Sequence, residues 1–120
     1  DSVAAALQAL VEIPCSGRRI AVLGDMAELG IHSVPAHEEI GRRAAELGVG
    51  QLISVGKMAG VMANAARQAG LTRVFEFGDV ESAAEAVKRF FKPGDLVLLK
   101  ASRATRLERV GDVLRGTNGR

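Results

Sequence analysis

The chain reads as an α/β domain: an open, mainly parallel sheet with helices on both faces. Three observations predict it. Short apolar, β-rich runs alternate with helical stripes of ten to fifteen residues, the pattern of βαβ units. The apolar runs are continuous instead of alternating with polar residues, as burial on both faces of a sheet requires. The length of 120 residues, with 48% hydrophobic and 25% charged content, suits one domain with a real core.

Val3, Leu7, Leu10 and Val11 fall at i, i+4, i+7 and i+8, so Ser2–Ile13 predicts an amphipathic helix capped by Ser2 or Asp1. Cys15-Ser16-Gly17 breaks it, and Arg19–Gly24 (RIAVLG) predicts a buried strand. Gly24–Ser33 is a loop. His37, Ile40, Ala44 and Leu47 mark a second helix, stopped by Gly48 and Gly50, and Gln51–Val55 is the second strand. Met58, Val61, Met62, Ala65 and Ala69 mark a third helix ended by Gly70, before a strand at Thr72–Phe77. Val80, Ala83, Ala84, Val87 and Phe91 mark the fourth helix. Pro93-Gly94-Asp95 then turns the chain into a fourth strand, Leu96–Leu99, and Leu107, Val110 and Leu114 define the last helix. Because the chain opens on a helix, the strand that this pattern puts before it is expected upstream of Asp1.

Composition narrows the function. The apolar and charged fractions exclude wholesale disorder. Runs such as Leu96–Leu99 fall far short of a membrane span. The acidic start and the short Ala4–Leu7 run do not resemble a signal peptide. The single cysteine, Cys15, cannot form an internal disulfide, which fits a reducing, cytoplasmic compartment. Net charge is +2, but Lys100 to Arg120 holds six basic and two acidic residues, a local +4 that leaves −2 on the first 99. A nucleic-acid-binding reading rests on that stretch alone. Four phenylalanines without Trp or Tyr offer little for bases to stack on, so no nucleic-acid partner is expected.

In open α/β sheets ligands bind outside the carboxyl ends of the strands. That rule selects Gly24–Ser33, Gly56–Lys57, Phe77–Asp79 and Lys100–Ala104. In Gly24-Asp25-Met26-Ala27-Glu28-Leu29-Gly30 two carboxylates project near a strand end, suited to an ammonium group, a ribose or a hydrated Mg²⁺; the alternative is a capped loop with solvated acids. Lys100, Ser102 and Arg103 stand at a helix start, where orphan N–H groups and the helix dipole favour a carboxylate or phosphate. The alternative there is an ordinary Ser102 cap. Arg106, Arg109 and Arg115 read as a solvated helix face. His37 shares a face with Ile40 and Ala44 and suits either a packing role or a site, while His37 with His32 lacks the further ligands of a metal centre. Gly50–Lys57 looks like a phosphate-binding P-loop, but five residues separate its glycines, Met58 replaces the metal-binding hydroxyl, and its middle reads as a strand. No nucleophile motif is present, and Cys15 precedes the first strand, at the wrong end of the sheet for catalysis.

The run IAVLGDMAELG (Ile20–Gly30), with Ser33, His37 and Gly41 behind it, closely resembles the C-terminal domain of the Mur ligases of peptidoglycan synthesis. Ser54-Val55-Gly56-Lys57, Gly94-Asp95 and Leu99–Arg103 match in the same order, and Asp1-Ser2 resembles the end of the family's Asn-Pro-x-Ser motif. The resemblance covers essentially the whole chain. It implies a small Rossmann-like domain that closes over the active site of an ATP-dependent, amide-forming ligase. In such enzymes a central domain carries the P-loop for ATP and Mg²⁺, the terminal carboxylate of UDP-N-acetylmuramoyl-tripeptide becomes an acyl phosphate, and the amino group of D-alanyl-D-alanine attacks it. Carried onto this chain, the resemblance implies substrate contacts by Asp25, Glu28, His37, Lys100, Ser102 and Arg103, with Ser2 near the nucleotide. It further implies that residues 1–120 form one domain, that the N-terminal and central ATPase domains lie outside it, and that it is inactive alone. The family's Lys-Gly-Ser-Arg reads Lys100-Ala101-Ser102-Arg103 here; a glycine needed for positive φ or close approach would make Ala101 strained or crowding. A stand-alone Rossmann-like module that binds a small anion, or regulates without catalysis, is the competing reading.

Overall fold

The computed structural model describes the backbone of residues 2–26, 30–102 and 106–118, and the side chains of 3–26, 30–102 and 106–116. Helices and strands alternate: α1 (Ser2–Glu12), β1 (Arg19–Gly24), α2 (Ser33–Glu46), β2 (Gln51–Val55), α3 (Ala59–Gln68), β3 (Val74–Phe77), α4 (Val80–Phe90), β4 (Leu96–Lys100) and α5 (Glu108–Asn118). A 3-10 turn, Gly30–His32, leads into α2. All strand pairs are parallel, in the order β3-β2-β1-β4. The α/β fold with helices on both faces of a parallel sheet is therefore the one the sequence predicts.

The strands are apolar on both sides because each side meets a helix layer. Side chains alternate across a strand, so Ala21, Leu23 and Leu52 pack with Leu7, Ile40, Ala44, Met62 and Ala63 of α1–α3. Ile20, Val22, Ile53 and Val55 pack with Ala83, Val87 and Val110 of α4 and α5. The central strand β1 lies in register with Val22 opposite both Ile53 and Leu99. α2 and α3 approach closely at Gly41, where a Cβ would collide with the Met62 carbonyl oxygen.

Two strands differ from expectation. β3 begins at Val74, not Thr72, and as an edge strand it buries only Val74 while Phe75 is exposed. β4, read as fully buried, is half-buried throughout, because it forms the other edge of the described sheet.

At the amino ends of the strands Arg18 clamps β1 to the turn before β4. Its backbone N–H and Nε donate to Asp95 Oδ1 (2.9 and 3.3 Å) and Nη2 to Oδ2 (2.6 Å), while Lys92 N–H also donates to Oδ2 (2.9 Å). The Asp95 side chain is 3% exposed. The Arg18 guanidinium holds its carboxyl well below the usual range, at about 2 against 3.8.

Two outcomes follow for stability. Gly41→Ala is expected to lower unfolding free energy by about 1–3 kcal/mol in urea titrations, since the α2–α3 contact has no room for a methyl. The Asp95 carboxyl is depressed on folding, so its contribution is present above pH 3.8 and is lost as pH falls through about 2. Asp95→Asn is therefore expected to cost about 2 kcal/mol at neutral pH, with the gap to the parent closing in titrations below pH 4.

Candidate functional site at the carboxyl ends of the strands

Ligand sites of open parallel sheets form where connections from neighbouring strands leave on opposite faces. Here that point lies between β1 and β4: the chain leaves β1 for α2 on one face and β4 for α5 on the other. The two loops that follow are bonded directly, Ser102 N–H donating to the Asp25 carbonyl oxygen at 2.9 Å.

The Asp25 carboxylate turns to the other neighbour, β2. Its Oδ2 accepts from Lys57 N–H and its Oδ1 from Met58 N–H, both at 2.9 Å. It thereby satisfies the N–H groups of the two residues that lead into α3, where the helix dipole favours a negative charge. Gly56, at φ +114°, permits the approach; a Cβ there would stand 2.6 Å from the carboxylate. Glycine is required both for the backbone angle and for the space. The next residue continues the network: Met26 N–H donates to His37 Nε2 (3.1 Å), and His37 Nδ1 donates to the Ser33 carbonyl (2.6 Å). A backbone N–H can only donate, so the proton sits on Nδ1.

This geometry gives two of the expected ligand residues backbone partners. His37 is 1% exposed with both ring nitrogens bonded to backbone, which ties Met26 to the start of α2. Asp25, expected to offer its carboxylate to an ammonium group, directs both oxygens at backbone N–H groups. Lys100 is half-buried, and among the described residues its side chain has no hydrogen bond or ion pair. It pairs with Leu23, which faces α1–α3, so Lys100 points to that face as well. Ser102 is half-exposed beside it. Ala101 does not take a positive φ and packs its methyl against the α4–α5 core, so the expected strain does not arise. Glu28 and Arg103 lie outside the described residues. Ser2 opens α1, and its side chain is likewise outside them; Arg19 donates to the carbonyls of Leu10 (3.0 Å) and Ile13 (2.8 Å), which puts the end of α1 at the amino end of β1 and its start toward the site.

The remaining expectations are placed as follows. Cys15 sits before β1, its thiol donating to the Gly17 carbonyl. Arg106 and Arg109 are exposed and stand 4.0 Å from Glu108 and 3.8 Å from Glu81, and Arg115 pairs with Asp112. Among the described residues no group of three His, Cys, Asp or Glu side chains can hold a metal. Sequence reasoning selected the Gly56–Lys57 loop and matched Ser54–Lys57 to the family, but did not number Lys57 among the expected site residues. The signal was Gly56, a glycine between strand and helix at a carboxyl end.

Comparison with known proteins follows the same geometry. A family model described as Mur ligase, glutamate ligase domain, matches residues 1–103. The UDP-N-acetylmuramoyl-tripeptide–D-alanyl-D-alanine ligase of Mycobacterium leprae is 38% identical over 97% of this chain and 26% of its own length. The Bacillus subtilis ligase of the same name is 32% identical over 91% and 24%. Among solved structures, MurF ligase from Thermotoga maritima in complex with ADP matches with TM-score 0.72 and 30% identity, over 97% of this chain and 25% of that one. MurF from Acinetobacter baumannii matches with TM-score 0.79 and 27% identity, over 92% and 25%. The chain thus spans about a quarter of the length of the relatives it matches.

His37→Phe leaves the Met26 N–H and the Ser33 carbonyl without their partner. It is expected to cost about 1–3 kcal/mol, with amide-exchange protection lost at Met26 before the strands are affected.

Proposed function

The chain belongs to the Mur ligase, glutamate ligase domain family, and on that premise we propose that it is the substrate-closing domain of a longer ATP-dependent ligase that joins D-alanyl-D-alanine to UDP-N-acetylmuramoyl-tripeptide. The observation that carries this reading is the bond between Ser102 N–H and the Asp25 carbonyl. It brings the two loops that resemble the family's motifs together at the switch point of the sheet.

The reaction class is amide formation, in which an amino group attacks an activated carboxylate. The turn after β2 does not fit a phosphate cradle, because the N–H groups of Lys57 and Met58 already bind Asp25. The reading leaves ATP and Mg²⁺ to the central ATPase domain of the longer protein. This chain supplies the hold on the incoming dipeptide, a zwitterion that needs an anionic and a cationic partner. Lys100, the Ser102 hydroxyl and Arg103 take its carboxylate, with Arg103 adding bidentate geometry, and Glu28 takes its ammonium. Ser2 stands toward the nucleotide. Asp25 and His37 hold the loops that carry these groups.

Residues 1–120 act in this reading as one domain that closes on its ATPase neighbour. Ile31, 90% exposed on the 3-10 turn at the carboxyl end, with the exposed Val34, supplies an apolar contact for that closure. No described helix is long and apolar enough to cross a membrane, and the reading sets the work in the cytoplasm, where ATP is supplied.

The test compares two proteins. The full-length protein is expected to release phosphate from ATP only when both UDP-N-acetylmuramoyl-tripeptide and D-alanyl-D-alanine are present. The 120-residue chain alone is expected to release none above a protein-free control. Turnover by the chain alone, or a full-length protein indifferent to the dipeptide, overturns the proposal.

A further inference from the structure

We propose that Asp25 is a positioning residue that sets Lys57 and Lys100 as a two-cation clamp, and that Lys57, as well as Lys100, takes the terminal carboxylate of the incoming dipeptide. The inference rests on the ligase reading above. It starts from the reach of one residue. The Asp25 carboxylate holds the backbone of Lys57 and Met58 after β2, and its carbonyl oxygen holds Ser102 after β4. Strands β2 and β4 are the two neighbours of β1, so their loops stand about 10 Å apart at the usual strand spacing, with Asp25 between them. A lysine stem spans much of that gap, so both ammonium groups can reach one carboxylate.

Both lysines belong to the same face. Lys100 faces the α1–α3 layer by its pairing with Leu23, and Lys57 begins the turn into α3, which lies on that layer. Lys57 is exposed, and neither side chain has a hydrogen bond or ion pair among the described residues. Gly56 is the structural condition for the arrangement, since any side chain there would push Asp25 off the N–H groups it binds. Asp25 acts through the backbone of Lys57 and does not itself touch the substrate.

The experiment is steady-state kinetics on the full-length protein with D-alanyl-D-alanine and with its C-terminal amide. Asp25→Asn keeps the size but replaces one accepting oxygen with a donor, so the Lys57–Met58 turn loses a bond. Lys57→Met keeps the stem and removes the charge at an exposed position that folding does not need. Each is expected to raise KM for D-alanyl-D-alanine about tenfold and to reduce the preference for acid over amide, with KM for ATP within about twofold of the parent. The double variant is expected to be no worse than the more impaired single one, because Asp25 acts through Lys57.

A merely structural Asp25 would lower the melting temperature and leave KM and the acid-to-amide ratio unchanged, which overturns the proposal. So does Lys57→Met with parental KM, or a double variant whose effects multiply. A parent enzyme without dipeptide-dependent turnover overturns the ligase reading itself, an outcome separate from these.

Discussion

Burial of β1 on both faces is the constraint from which the rest of the molecule follows. Ile20, Ala21, Val22 and Leu23 are fully buried, with β2 on one side and β4 on the other. A parallel neighbour cannot be reached by a tight turn, so every connection must cross the sheet and carry a helix that covers one of its faces. With β4 placed on the far side of β1 from β2, the crossover helix α4 covers the face opposite α2, and α5 packs beside α4. The switch point between β1 and β4 is the geometric result of that strand order. It would exist whatever residues lined it; the residues decide what it binds.

The two ends of the sheet use charge in different ways. At the amino ends the charges close on themselves: Arg18 and Asp95 saturate each other, and Arg19 spends its guanidinium on the last carbonyls of α1. That end is locked. At the carboxyl ends the acid Asp25 is committed to backbone, while Lys57 and Lys100 carry no partner among the described residues. Charge left unpaired beside a rigid backbone costs stability little when it is solvated, and it is what an anionic ligand requires. A firm amino end lets the loops at the other end stay shaped while their side chains face outward.

Much of this was legible in the sequence because it depends on short-range pattern. Helical stripes and apolar runs reveal the elements, and alternation of strand and helix reveals which loops share an end. The Asp79 cap of α4 is of the same local kind, its carboxylate accepting from Ser82 three residues on. What escaped is what joins distant segments. Asp25 meets Lys57 and Met58 across more than thirty positions, and no periodicity encodes such a bond. The tight Gly41 contact with α3, the half-exposure of β4 and the short β3 likewise depend on which elements become neighbours or edges. His37 shows both limits at once. Its apolar face marked it as buried, but only the structure shows that its two nitrogens are taken by Ser33 and Met26.

The stretch that imitates a phosphate loop does not offer its own backbone to an outside anion. In a true P-loop the N–H groups at the start of the helix are presented to a phosphate. In this chain the glycine, the turn and the helix start are all present after β2, but the anion that fills them is the protein's own Asp25. A carboxylate tethered on the adjacent strand acts at an effective concentration that an external phosphate does not match. The dipole of α3 is therefore spent on folding. In the proposed reading, an anionic reactant arriving at this end is met by cations that project beyond the capped turn, Lys57 and Lys100.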